Sequence, residues 1–307
     1  MNRIGFVGIG NMGLAMALRL RDAGHAVQVC DIDASRVAQA VAAGASHAAQ
    51  PSGLADCALV IIAVVHAAQT REVLFGPDGL AAALPAGAAV MLCPTIAPAD
   101  TEACAAQLAT HGIGCIDAPM SGGPERARNG TMSLMVACDD ALYQRWEPLL
   151  QTLASRLFRI GPQVGDGART KLCNNLLAAI NLAGAAEVLA LAERLGLNPT
   201  ATLSVIEQSS GQSWIGSDRM HRALAGDTAP RAHMGLLAKD SALALGAARA
   251  VGAAVPVGVA AALQFALALQ DGLGLADDSA LWRWIETRAA TQAAQAATAA
   301  PGSGTAP

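Results

Sequence analysis

Arg3-Ile4-Gly5-Phe6-Val7-Gly8-Ile9-Gly10-Asn11-Met12-Gly13 is the stretch whose reading decides the fold. The apolar run Ile4–Val7 leads straight into Gly8-Ile9-Gly10-Asn11-Met12-Gly13, a G-x-G-x-x-G turn, and a helix-periodic pattern follows from Met12 to Ala23. In a strand-turn-helix of this kind the first glycine permits the tight bend. The second lets backbone approach a pyrophosphate, and the third lets the helix pack on the strand. The free N–H groups and positive dipole end of the helix then hold phosphate. Gly8, Gly10, Asn11, Met12 and Gly13 are therefore candidate cofactor ligands. A second apolar run, Val27–Cys30, ends at Asp31, near the interval of about 20 residues at which an acid bonds the adenosine ribose. Asp31 favours NAD, because a 2′-phosphate beside it would meet like charge and Ile32 supplies no cation. Arg36 keeps NADP open.

Working outward, short apolar runs alternate with helical patterns as far as about Phe158: Leu59–Val65, Ala88–Leu92, Gly114–Ile116 and Met132–Ala137 read as further strands. Such alternation predicts an open α/β sheet. Val65 and Thr95 lie at or just past the ends of two of these runs. After Gly161-Pro162 the strand signals stop. Helix formers dominate to about Arg288, broken by turns at Gly196-Leu197-Asn198-Pro199 and Ser209-Ser210-Gly211. The expected architecture is α/β: an N-terminal Rossmann doubly wound sheet over 1–163, and an all-α C-terminal domain over 164–288. A long interdomain helix, Thr170 to Leu195, joins them, and a disordered tail covers 289–307. That helix is apolar nearly all round, which implies burial between domains or subunits and suggests a dimer.

Composition narrows the function. The 307 residues allow two domains, each with its own core. With 3% aromatic residues and a net charge of −4, the chain lacks the stacking side chains and positive field that nucleic acid or anionic lipid would require. A small-molecule partner is the expectation. Seven cysteines stand singly, without C-x-x-C pairs, which fits a reducing cytoplasm, and no metal site is assigned. Arg3 with the apolar stretch to Ala15-Met16-Ala17 has the outline of an export signal, but Gly5, Gly8, Gly10 and Gly13 would weaken its helix. Val251 to Leu269 is long enough to cross a bilayer, yet Gly252, Pro256, Gly258 and many alanines point to a core helix starting near Pro256.

Hydride transfer from an alcohol needs a proton acceptor, a group that polarises the oxygen, and donors that fix the substrate. Lys171, early in the long apolar helix, lies four residues before Asn175 and so shares its face. An ammonium and a carboxamide then project from one turn, and partial burial would favour the neutral amine that takes a proton. The alternative is a snorkelling lysine with asparagines as polar punctuation. After the strand near Ile116 comes Asp117-Ala118-Pro119-Met120-Ser121-Gly122-Gly123-Pro124. Ser121, Gly122 and Gly123 there offer N–H groups and a hydroxyl for a carboxylate, or form a plain turn. Lys239-Asp240 adds either a cation at the cofactor or a surface pair.

Taken together, these residues resemble the β-hydroxyacid dehydrogenase family, which includes 3-hydroxyisobutyrate and L-threonate dehydrogenases and tartronate semialdehyde reductases. The resemblance spans about Met1 to Arg288 and rests on four elements in order: Gly8–Gly13, Asp117–Gly123, Gly165–Lys171 with Asn174-Asn175, and Lys239-Asp240. It implies that Lys171 is the general acid/base and that Asn175 binds near the reacting oxygen. Ser121, Gly122 and Gly123 would hold the substrate carboxylate, and Lys239 would serve the cofactor and substrate. Asp277-Asp278-Ser279-Ala280 resembles the family's closing motif, and the resemblance suggests a homodimer or homotetramer. Where the family often has Asp-x-Ser-Thr, this chain has Cys93-Pro94-Thr95-Ile96, which keeps only Thr95 at the nicotinamide ribose. Pro124-Glu125-Arg126-Ala127-Arg128 and Trp214, a candidate wall of the substrate site, lean toward a polyhydroxylated acid such as threonate or glycerate. The expected function is therefore NAD-dependent oxidation of a small hydroxy acid or reduction of its semialdehyde. An NADPH-dependent semialdehyde or imine reductase and a non-catalytic dinucleotide-binding protein are the other readings. Phosphogluconate dehydrogenases share two elements but need a larger helical domain.

Overall fold

Uninterrupted apolar runs become strands buried on both faces, as parallel sheets covered by helices require. The computed structural model describes residues 3–288, and the tail expected over 289–307 lies outside the described residues. The strands are β1 (Arg3–Val7), β2 (Ala26–Cys30), β3 (Ser46–His47), β4 (Leu59–Ile62), β5 (Ala89–Leu92), β6 (Gly114–Asp117), β7 (Met120–Ser121), β8 (Met132–Ala137) and β9 (Ala154–Gly161). They form one sheet in the order β3-β2-β1-β4-β5-β6-β8-β7, with β9 paired to β8. The first six strands are parallel and follow the Rossmann order. Beyond them β8 runs antiparallel to β6 and β7 and parallel to β9.

Alternate residues of each strand feed two cores. Ile4, Phe6, Leu59 and Ile61 pack with Leu14, Met16 and Leu20 of the helix Asn11–Asp22 and with Trp146 and Leu150 of the helix Asp140–Leu153. Val7, Val60 and Ile62 pack on the opposite face with Leu74 and Leu108, from the helices Ala67–Phe75 and Pro98–Thr110. The sheet is thus doubly wound, as expected.

The chain divides into two compact units after Asn174, within the helix Asp166–Arg194. Past that point every described element is helical, apart from an isolated bridge between His233 and Asp277. Leu182, Leu189, Met220, Met234, Phe265 and Trp282 make the core of this second unit. The long helix ends at a glycine in the left-handed region, Gly196 with φ 77°. There the Leu197 N–H donates to the Ala192 carbonyl at 2.9 Å, closing a Schellman turn. Asn198 then caps the helix Pro199–Glu207 through the Ala201 N–H.

Three strands differ from the reading of apolar runs. Two-residue β3 and β7 are too short to leave a pattern, and β9 is an edge strand interrupted by Arg156 and Arg159. The long helix starts at Asp166 rather than Thr170. Among the described residues the one helix long and apolar enough to cross a membrane is Asp166–Arg194, whereas Val251 to Leu269 is cut by a turn and forms the shorter helix Pro256–Gln270.

Candidate functional site

Register places most of the sequence-predicted site residues of the first unit along one edge of the sheet. Cys30, Val7, Ile62, Leu92 and Asp117 are Cα partners in one row across β2, β1, β4, β5 and β6. The chain leaves these parallel strands at a common level. Asp31, the Gly8–Gly13 turn, Val65, Thr95 and the Ser121–Gly123 segment all follow within a few residues of that row. Ligands of open α/β sheets bind at such a carboxyl edge.

The glycine turn has the local features that a dinucleotide requires. Gly8 sits at φ 86°, and a Cβ there would meet the Ala63 carbonyl carbon and Val64 Cγ1 at 2.9 Å. A Cβ on Gly13 would lie 2.0 Å from the Gly8 carbonyl oxygen, so helix Asn11–Asp22 can approach β1 only with glycine at that position. Gly10 is different, since a Cβ there would meet nothing within 4 Å. Protein packing does not demand glycine at position 10, whereas a pyrophosphate against the backbone would. No side chain caps this helix, which leaves its first N–H groups facing outward for phosphate. Asp31 is held over the turn by the Ile9 N–H at 2.5 Å and the Asp33 N–H at 2.8 Å. Arg36 reaches back to Asn11 Oδ1 at 2.9 Å, setting a cation beside the same turn. Val65 is exposed in the loop after β4, its N–H donating to Gln69 Oε1 at 3.1 Å, and Thr95 is half-buried in the loop after β5.

Beyond β6, Met120 and Ser121 pair with β8, and then Gly122 (φ 127°) and Gly123 (φ 77°) turn the chain into the helix Gly123–Asn129. Glycine takes two successive positive-φ positions without strain, and with no side chains there the backbone N–H groups of this turn are open to an anion. The stem of Arg126 packs against this turn: its Cδ is 3.0 Å from where a Gly122 Cβ would stand. Asp117, just before this segment, is buried and accepts the Gly165 N–H at 2.8 Å and the Ala168 N–H at 3.0 Å. Burial pushes its carboxyl up to about 6, against the opposing pull of those backbone donors. Three residues beyond Ala168, on the same helix, stands Lys171, only 7% exposed.

In the second unit, Asn175 is 9% exposed and donates through Nδ2 to Asp240 Oδ2 at 2.6 Å. The other oxygen of Asp240 lies 2.8 Å from Lys239 Nζ. One carboxylate therefore fixes both the Asn175 amide and the Lys239 ammonium. Trp214 is half exposed at the start of the helix Trp214–Leu224, which Ser213 caps through the Gly216 N–H. Arg219 and Arg222 of that helix pair with Asp278 at 2.6 Å and Asp277 at 3.0 Å, so the closing motif anchors the element that carries Trp214. Burial raises Asp278 to about 6 despite Arg219. Asp277, also partly desolvated, is held down at about 2 by hydrogen bonds from Ser279, Arg231 and Arg222.

Sequence reasoning missed the roles of Asp117, Asp240 and Arg36 in this arrangement. Their partners lie 48, 65 and 25 residues away, and no local pattern announces such pairs.

Comparison with known proteins covers both units. Residues 3–161 match the model described as the NAD binding domain of 6-phosphogluconate dehydrogenase. Residues 165–285 match that described as NAD-binding of NADP-dependent 3-hydroxyisobutyrate dehydrogenase. An L-threonate dehydrogenase of Cupriavidus necator is 37% identical over 79% of this chain and 82% of its own length. A 3-hydroxyisobutyrate dehydrogenase of Pseudomonas aeruginosa is 39% identical over 70% of this chain and 72% of its own. Among solved structures, a 3-hydroxyisobutyrate dehydrogenase from Salmonella typhimurium superimposes with a TM-score of 0.86 at 35% identity, covering 92% of this chain and 99% of that one.

Proposed function

Since this chain belongs to the β-hydroxyacid dehydrogenase family, we propose that it oxidises a small hydroxy acid with NAD, using Lys171 as the general base. The observation that carries the chemistry is a buried polar pair, Lys171 and Asn175, one turn apart on the helix Asp166–Arg194. A lysine and an amide are costly to bury unless they have partners or work to do.

NAD, when bound, accepts the hydride. The Gly8–Gly13 turn holds its phosphates, Asp31 takes the adenosine ribose hydroxyls, and Val65, Thr95 and Lys239 contribute along the cofactor. Ser121, Gly122 and Gly123 hold the substrate carboxylate by N–H and hydroxyl donation, while Asn175 donates to the reacting oxygen. Lys171 takes the hydroxyl proton as hydride departs, and in the reverse direction returns it to the carbonyl oxygen. Asp240 keeps the Asn175 amide turned so that its oxygen side and second N–H are presented in a defined way.

The substrate class follows from the anion turn and from the relatives. The stem of Arg126 packs against Gly122, so a cation-bearing side chain borders the turn where a purely apolar acid would need none, and we assign Trp214 to the wall of the substrate site. With L-threonate dehydrogenase among the relatives, a polyhydroxylated acid of the threonate or glycerate type is the substrate. NADH and NADPH formation across L-threonate, glycerate and 3-hydroxyisobutyrate tests this directly. Highest kcat/KM for L-threonate with NAD is expected. Preference for hydroxyisobutyrate would remove the polyol assignment, preference for NADP would remove the role given to Asp31, and no turnover with any acid would remove the activity.

The enzyme acts as a homodimer or larger assembly. Leu177, Val188 and Leu191 share an exposed side of the long helix, and Val259 and Leu263 share one on the helix Pro256–Gln270, giving the second unit exposed apolar surface that a second copy would cover. Light scattering after size exclusion should report at least a dimer, and Leu191→Glu should shift it toward monomer. A monomeric wild type at micromolar concentration would rule the assembly out. The seven cysteines are all free thiols, six of them buried, which suits the reducing cytoplasm where we place the protein.

A further inference from the structure

We propose that Asp117 is a positioning residue: its buried carboxylate clamps the first turn of the Lys171 helix to the strand end from which the Ser121–Gly123 anion turn departs. The inference rests on the proposed role of Lys171 and extends it to the way that amine is aimed. Asp117 is the last residue of β6, and Ser121 follows four residues later. Its carboxylate accepts N–H groups from Gly165, Gly167 and Ala168, the donors that a helix N-terminus leaves unpaired. Gly167 sits so close that a Cβ would lie 2.7 Å from the Met135 carbonyl oxygen and 2.9 Å from Asp117 Oδ2. Lys171 is four residues beyond Gly167, hence on the same face of the helix, one turn above this contact. A single carboxylate thus fixes the height and rotation of the amine relative to the anion turn.

The clamp is maintained at a thermodynamic cost. A folded-state carboxyl near 6, against an ordinary 3.8, favours the folded state at low pH, and that contribution disappears as pH rises through 6. At working pH the ionised group is therefore carried at a disadvantage, with Asp166 and the thiols Cys93, Cys115 and Cys138 around it. A group retained for stability alone would not need to be charged there. Arg169, paired to Asp166 at 2.8 Å and to Glu102, holds the outer side of the same turn.

Asp117→Asn tests the clamp, because it keeps the shape and one acceptor while removing the charge. At pH 8 the variant should melt close to wild type and bind NADH with unchanged affinity, since the glycine turn is untouched. Its kcat should fall about 10- to 100-fold, as a small misplacement of a catalytic group does. Amide hydrogen exchange over 165–171 should accelerate, a readout that needs no turnover and so separates this proposal from the assignment of Lys171. Turnover within about threefold of wild type, unchanged exchange over that segment, or joint loss of folding and NADH binding would each overturn it. Gly167→Ala, which perturbs the contact from the helix side, should reproduce the loss of kcat with NADH binding retained, and normal turnover in it would count equally against the clamp.

Discussion

Lys171→Ala is expected to lower kcat by about 100-fold or more, a loss on the order of 3 kcal/mol in transition-state stabilisation, while NADH affinity and folding stay intact. Lys171 is 7% exposed, between Ala168 and Leu172 on a helix rich in good helix formers, so alanine fits the backbone and removes the amine. The cofactor turn lies in a separate part of the sequence and keeps its own contacts. Lys171→Arg sharpens the test. Guanidinium keeps the positive charge but does not release its proton near neutral pH, so a purely electrostatic role would survive the change and proton transfer would not. Steady-state turnover with the preferred acid, read beside NADH titration, decides between them. If Lys171→Ala binds NADH and turns over at the wild-type rate, the proton-transfer assignment is wrong.

How far these residues were readable in advance depends on where each one's partners lie. β1, β2, β4, β5, β6 and β8 announce themselves because each is buried on both faces and so reads as a continuous apolar run. Strand β9 is an edge strand with two arginines, and its pairing with β8 is invisible to a pattern of runs. The long helix starts four residues before its apolar pattern does, for a related reason. Gly165 and Gly167 read locally as a turn, and only Asp117, held close by the sheet, supplies the acceptors that let the helix begin at Asp166. The glycine turn and the Lys171/Asn175 spacing are local and could be read directly. Asp240 as the partner of Asn175 could not, because folding alone joins residues 65 positions apart.

Gly13→Ala should abolish measurable cofactor binding and lower Tm by several degrees. The added methyl would lie 2.0 Å from the Gly8 oxygen and 3.0 Å from its carbon, both backbone atoms in a turn already pinned by φ 86° and by Ala63. No flexible side chain is available to yield, so the helix Asn11–Asp22 must move away from β1, at a cost of about 1–3 kcal/mol for overpacking a close contact. The phosphate-facing N–H groups move with it. Gly10→Ala separates fold from ligand within the same motif. Its φ of −59° suits any residue, and its methyl would meet no protein atom within 4 Å. Stability should therefore change by no more than about 1 kcal/mol, yet NADH affinity should drop sharply because the methyl occupies the path of the pyrophosphate. Paired melting curves and NADH titrations on the two variants test the distinction. Normal NADH binding by Gly10→Ala would mean that the dinucleotide does not lie along this turn.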